Sequence, residues 1–337
     1  MTSLIKMTGE RFSNWRAVSL SGAVIIITLI GGTLFSLATG GRSDVGLSDL
    51  FNPSEVARTV LWDIRAPRLA VAALLGCSLG LAGLSLQAVT RNSLASPSIL
   101  GINQGAAFGL CVTLVWPDLF PISPGIMAMV GGLTAGALTL TIAGAFRGQI
   151  NPMRLILGGV AVAAFSFAMV RFTYTLDDDL TRAVVRWTVG DISGVRWSDA
   201  KRLAWFIAPG FIAALMLAQQ FNLMALGQGA AQGVGVDPRL TLLFGTLLAA
   251  SLAGISVSVA GPIAFAGLVL PHLARMVVGT DYRQLVPTTA VLGAGIMLIA
   301  DGLSKWVTAP SEAPIGVVVA LIGAPWFLWY TLRASDF

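Results

Sequence analysis

The stretch APRLAVAALLGCSLGLAGLSLQAV, residues 66–89, decides the fold class. After Arg68 it carries no charge. At about 1.5 Å per residue it is long enough to cross the roughly 30 Å hydrocarbon core of a bilayer as one helix. Nine further apolar runs flank it, at 17–38, 99–116, 123–145, 153–175, 199–219, 239–260, 263–278, 285–306 and 314–333. The third and eighth of the ten are short and broken by Gly and Pro: Pro97, Gly101 and Gly105 in one, Pro262 and Pro271 in the other. Short, interrupted spans at corresponding places in two halves of a chain point to a transport pathway. Spans one to five and six to ten share only a weak sequence echo.

The composition agrees. Of 337 residues, 55% are hydrophobic and 11% charged, with a mean hydropathy of +0.82. A soluble domain is nearer 25% charged, and a surface this poor in charge would be too apolar for water. The expectation is an all-α integral membrane protein of about ten transmembrane helices. Its organisation is a cytoplasmic segment 1–16, a single transmembrane domain 17–333 and a tail 334–337. The run 17–38 is longer than the roughly 7–15 residues of a signal-peptide core, and is expected to be a span. The pI of 9.8 does not indicate a nucleic-acid partner, because the basic residues are dispersed between apolar runs. Cys77 and Cys111 lie apart in apolar segments and are expected to be buried fillers. His272 is the single histidine, too few for an imidazole metal site.

The energy source is constrained by absences. A P-loop needs Gly-Lys-Ser/Thr, and none of Lys6, Lys201 and Lys305 follows a glycine. No ATP motor is therefore encoded in this stretch of chain. Very few ionisable groups are expected away from the span ends; the candidates are Arg154 and Arg171 near the two ends of the fifth span and Asp301 near the outer end of the ninth. A proton relay would need more of them, since intramembrane charges are costly and kept for function. Sodium sites built from backbone carbonyls leave a gradient-driven secondary transporter as the alternative. No nucleophile–base or metal constellation supports an enzyme.

Two connections are long. One is 39–65. The other, 176–198, carries Asp177-Asp178-Asp179, expected to be a solvated loop tip, and a candidate interfacial helix over 180–189. The segment FNLMALGQGAAQGVGVDP, residues 221–238, is either a plain connection or a short amphipathic helix. In the second case it presents Leu223, Met224 and Leu226 to a partner's groove. Glycines four apart, such as Gly76 and Gly80 or Gly132 and Gly136, predict close helix packing within the subunit.

Several stretches together resemble one family. They are Arg65-Ala66-Pro67-Arg68, Gln87, RNSLASPSILGINQGAAFG from Arg91, Trp187 to Gly190, Ala225-Leu226-Gly227, GPIAFAGLVLPHLAR from Gly261, Asp281-Tyr282-Arg283, Ala300-Asp301 and Glu312 through Pro325. In order and content the chain resembles the FecCD-type permeases, membrane subunits of type II (BtuC-like) ABC importers for ferric siderophores, haem and cobalamin. The resemblance implies ten helices, both termini cytoplasmic in a bacterial inner membrane, and a homo- or heterodimer with a second permease subunit. It also implies two ABC ATPase subunits, which carry ATP and Mg, and an extracytoplasmic substrate-binding protein. No cofactor is implied on this chain. Arg65, Arg68 and Lys305 match positions that meet acidic residues of the binding protein. Read from the residues alone, the two arginines are better taken as anchoring the start of the second span among headgroups. The segment 222–237 matches the ATPase-coupling segment, with Ala225, Leu226, Gly227, Gln228, Ala230, Ala231 and Gly235 as its contact candidates. The chain departs from the pattern at Ser93, where proline is usual, and at Gln228-Gly229, where an acid often follows Ala-Leu-Gly.

Overall fold

The computed structural model describes residues 22–40, 49, 53–145, 152–175 and 188–334. Every regular element among them is helical. In chain order these are α1 (Gly22–Ala38), α2 (Glu55–Thr90), α3 (Ile102–Val115), α4 (Pro124–Ile142), α5 (Pro152–Phe172), α6 (Trp197–Ala225), α7 (Gln228–Gly233), α8 (Pro238–Ala260), α9 (Ala266–Val278), α10 (Tyr282–Trp306) and α11 (Ile315–Ala334). Seven are long and apolar enough to cross a membrane, and α1, α3 and α9 are shorter apolar helices. The ten expected spans all correspond to helices, and α7 is an extra short one.

The helix starts follow local chemistry. Ser54, Ser123, Asp237 and Asp281 each accept a backbone N–H in the first turn of α2, α4, α8 and α10. Proline occupies the first turn of α4 and α8, where its missing donor costs nothing. The expected 39–65 connection is corrected here: from Glu55 onward it is already helix. The helix continues through a π-helical turn, Val60–Arg65, in which the Ala66 N–H bonds to the Leu61 carbonyl. Pro67, which has no N–H to give, follows at once. The wider turn absorbs that irregularity without ending the helix. The acidic triplet and the candidate helix at 180–189 lie outside the described residues.

α2 is the hub. It packs against α10, α8, α6 and α9, and 72% of its most apolar window is buried, as for α10. α5, α6 and α11 bury a third or less of theirs, and present apolar faces outward. The α2–α10 crossing is made through Gly76 and Gly293, whose backbones touch; a Cβ on Gly76 would fall into the Gly293 carbonyl. Glycine spacing thus serves contacts inside the subunit, as small residues do in lipid.

The two short helices meet. α3 begins after Gly101 and α9 after Phe265, both with left-handed backbone, φ 73° and 62°. The Asn103 side chain at the start of α3 donates to the Ile263 carbonyl just before α9. A residue such as Phe265 rarely adopts positive φ.

Candidate functional site

Arg65 and Arg68 lie one turn apart where the π-turn joins the rest of α2. Asp301 and Lys305 lie one turn apart near the end of α10. The Gly76–Gly293 contact brings these two helices close, and four charged side chains meet at one end of the bundle. Arg68 Nε donates to Asp301 Oδ1 at 2.6 Å and Nη2 to Ser304 Oγ at 3.3 Å, while Nη1 donates to Glu312. Lys305 Nζ reaches Asp301 Oδ2 at 2.8 Å and donates to the carbonyl and hydroxyl oxygens of Ser36, at the end of α1, at 2.6 and 2.9 Å. The Ser36 hydroxyl donates to Asp301 Oδ2. Arg65 Nη1 donates to the Leu37 carbonyl at 2.7 Å.

Burial sets the character of this site. Asp301 is fully inaccessible, and Lys305, Arg68 and Arg65 are 3, 4 and 6% exposed. The expectation had these three cations as exposed outer-face charges, and here the structure differs. Each is buried and has partners within its own chain. A buried cation must be paired and hydrogen-bonded to be tolerated, and Asp301 supplies the counter-charge to two of them. The Glu312 side chain is 30% exposed and forms the mouth of the cluster. A cavity of about 220 Å³ opens there, lined by Gly40, Val60, Ile64, Arg65, Arg68, Lys305 and Glu312. The wall is rich in cations, with one accessible carboxylate.

Asp301 stood out in the sequence as an intramembrane charge. Its pairing with Lys305 could have been found from the i,i+4 spacing on one helix. Ser36, Ser304 and Glu312 were missed as members of the network. Ser36 and Glu312 come from α1 and from the turn before α11, far away in sequence, and nothing local announces them.

The second candidate site lies at the opposite end. α6 ends at Ala225, Leu226 follows, and Gly227 at φ 107° turns the chain into α7, a helix of six residues. Leu226 and Val234 are 73 and 64% exposed, and Ala225 and Ala230 also face outward. Ala231 is fully buried and anchors α7 to the bundle. Met224, expected to be presented to a partner, is buried in α6. Gln228 opens α7, and Gly235 closes the segment at φ 84° before Asp237 caps α8. Beside it, Asn222 on α6 is locked to the start of α10. Its Nδ2 donates to Asp281 Oδ1 at 2.7 Å, and its Oδ1 accepts the Tyr282 N–H at 2.9 Å. The Arg283 N–H and then the Asn222 side chain hold the Asp281 carboxyl below its ordinary value.

His272 packs edge-on against Tyr330 and Trp326, with ring centres 4.0 and 5.5 Å away. Its surroundings are those of a packing residue between α9 and α11.

Comparison with known proteins is unambiguous about descent. The family model for the FecCD transport family matches residues 22–333. The Escherichia coli Fe(3+) dicitrate transport system permease protein is 40% identical over 80% of this chain and 82% of its own length. The Yersinia pestis hemin transport system permease protein is 38% identical over 89% of this chain and 91% of its own. A solved structure of a metal-chelate type ABC transporter in an inward-facing conformation superposes with a TM-score of 0.76 at 27% identity, covering 92% of this chain and 97% of that one. A helical bundle with these interrupted third and eighth spans, matched across almost its whole length, is a multi-pass membrane protein that belongs to the FecCD transport family.

Proposed function

We propose that this chain is the transmembrane permease subunit of an ATP-driven importer, moving a ferric chelate across a bacterial inner membrane by alternating access. A ferric siderophore of the citrate or hydroxamate kind is the favoured cargo, with haem and cobalamin next. The relatives named for iron dicitrate, iron hydroxamate, hemin and vitamin B12 support that range. The chain performs no bond chemistry. Energy comes from two ATPase subunits that bind ATP and Mg, and the permease works as a dimer with a second permease subunit.

One observation carries this reading. The charged residues buried among the described residues are Arg65, Arg68, Asp301 and Lys305, and all belong to one cluster at one end. Among the described residues no titratable chain leads from that end through the bundle, so a proton relay has nothing there to run on. The ends then divide the work. The charged end faces outward and receives the acidic surface of a substrate-binding protein through Arg65, Arg68 and Lys305. The α7 end faces the cytoplasm and docks on the ATPase through the segment 222–237. α1 ends beside the charged cluster at Ser36 and α11 starts behind Glu312, which supports a cytoplasmic side for the start of α1 and the end of α11.

The test is reconstitution. Proteoliposomes holding permease, ATPase and binding protein should take up radiolabelled ferric chelate only with ATP. Uptake by the permease alone under an ion gradient would overturn this reading in favour of a secondary transporter.

A further inference from the structure

We propose that Glu312 is an internal stand-in for a carboxylate of the binding protein, exchanged for it on docking. The proposal rests on the reading of Arg65, Arg68 and Lys305 as the docking residues. That reading needs an incoming acid to reach guanidinium and ammonium groups that are buried in the subunit alone. The geometry shows how it can.

Arg68 spends its donors on three acceptors: Asp301, Ser304 and Glu312. Two of these are fixtures. Asp301 is fully buried, and its second oxygen already takes Lys305 and Ser36. Ser304 is fully buried and its hydroxyl donates to the Asp301 carbonyl at 2.8 Å. Glu312 differs on both counts. Its side chain is 30% exposed, its bond to Arg68 lies at the mouth of the 220 Å³ cavity, and it sits on a turn between helices. It is the acceptor that can leave.

Exchange is favoured over simple opening for a physical reason. Pulling Glu312 away alone would leave buried Arg68 and Lys305 to share the single carboxylate of Asp301, which is unfavourable. Replacing one carboxylate by another at the same guanidinium never leaves it unpaired. The exchange also has somewhere to go. Ala313, next to Glu312, donates its N–H to the Ser304 carbonyl at 3.0 Å, and Gly316 donates to the Gly190 carbonyl at 2.8 Å. Releasing Glu312 breaks its tie to Arg68 while these two backbone bonds hold the turn that starts α11 in place, so the side chain can swing out without unravelling the helix start. Two discrete pairings of one cation are the kind of bistable element a ligand can bias.

The decisive measurement is the affinity of ligand-free binding protein for the permease–ATPase complex in nanodiscs, at several salt concentrations. Glu312→Gln removes the competing charge and keeps the shape. It should lower Kd by about tenfold, the factor returned when a closed pairing populated about nine-tenths of the time is relieved. A purely structural salt bridge predicts the opposite sign. An unchanged or raised Kd for Glu312→Gln overturns the exchange. Should that variant fail to assemble, Glu312→Asp, which shortens the reach to Arg68, must also tighten docking, and unchanged or weaker binding overturns the exchange equally. Arg65→Gln in the same assay separates the two levels. Undiminished docking by Arg65→Gln sinks the docking reading itself. Lost docking there, with no tightening in the Glu312 variants, sinks the exchange alone.

Discussion

Asp301→Asn is the sharpest probe of how this fold tolerates charge. The wild-type carboxylate is inaccessible and accepts from Arg68 at 2.6 Å, from Lys305 at 2.8 Å and from Ser36. Asparagine fits the space but removes the negative charge, and its amide nitrogen turns a donor toward Arg68 or Lys305, which are donors themselves. Removing one partner of a buried ion pair typically costs about 3–5 kcal/mol. Here Arg68 keeps Glu312, and Lys305 keeps the Ser36 carbonyl at 2.6 Å, so the lower part of that range applies. For a chain of 337 residues, at about 2.1 cal/mol/K of unfolding entropy per residue, that is a fall in Tm on the order of 4–6 °C. The protein supplies its own reporters. Cys77 and Cys111 are free thiols packed in α2 and α3, and a thiol-reactive dye lights up as they become exposed on heating. Adding Lys305→Met removes a stranded cation and should recover stability, with a coupling of about 0.5–3 kcal/mol. A loss below about 1 kcal/mol for Asp301→Asn, the scale of an ordinary hydrogen bond, would refute the claim that this carboxylate holds the cluster. So would strict additivity with Lys305→Met.

Other perturbations separate packing from coupling. Gly293→Leu forces a side chain into the Gly76 backbone and should cost about 1–3 kcal/mol or more, or prevent folding, as read by yield and thermal melting. Gly229→Ala meets nothing within 4 Å on exposed α7, and should instead stabilise that turn by up to about 1 kcal/mol, seen as slower hydrogen exchange there. Leu226→Asp with Val234→Asp changes exposed side chains, so the Tm should hold while co-purification of the ATPase is lost. Asn222→Ala removes two hydrogen bonds between α6 and α10; binding-protein affinity should stay, and stimulation of ATP hydrolysis by the binding protein should fall. Asp281 adds a pH test. Its folded pKa is depressed, so its contribution is fully present above the ordinary carboxylate value of 3.8 and is lost as pH falls through the lower folded value. Local protection at the start of α10 should therefore be flat from neutral pH to about pH 5 and drop in more strongly acidic buffer.

The helices were legible in the sequence because lipid enforces a simple rule. A span must satisfy its backbone internally and carry apolar side chains over a fixed length, and runs such as 66–89 and 239–260 state both. Interruptions were legible only in part: Pro97, Gly101 and Pro262 lie outside the helices, whereas Pro271, read as a break of the eighth span, sits inside α9. The helical extension from Glu55 to Arg65 was not legible. Its Glu, Arg and Asp residues are those of a loop as much as of an exposed helix, and only its continuity with α2 makes it helical. The candidate sites show the same division. Residue types at the charged end were named from sequence, yet their burial was not, because it depends on Ser36 and Glu312 arriving from distant segments. At the other end, the exposure of Leu226 follows from its place after α6, while the burial of Met224 depends on which face of α6 turns inward.

Among the seven long helices that run between the two ends of the molecule, α10 is bonded at both candidate sites. α10 carries Asp301 and Lys305 at one end and is capped by Asp281 at the other. Its 25 residues span about 37 Å at 1.5 Å each. Asp281 and the Tyr282 N–H are held by Asn222, and α6 ends at Ala225, immediately before Leu226 and α7. Where α10 passes α2, glycine backbone meets glycine backbone at Gly76 and Gly293, with the Met297 side chain over Gly76 and Thr289 over Gly80. Side chains of one helix seated over the glycines of the other hold the pair in one register. A displacement at the Asp301 end is therefore expected to move α10 and α2 together, with Asn222 tying α10 to α6 at the far end. α2 is differently constrained: Arg68 ties one end to Asp301, and Gln87 ties the other to Arg275 of α9 at 2.5 Å. The Arg68–Asp301 bond pins α10 to the hub as much as it pins the hub to α10. Under the assignment of the two ends proposed above, the α2–α10 pair is the packed path that joins the docking end to α7.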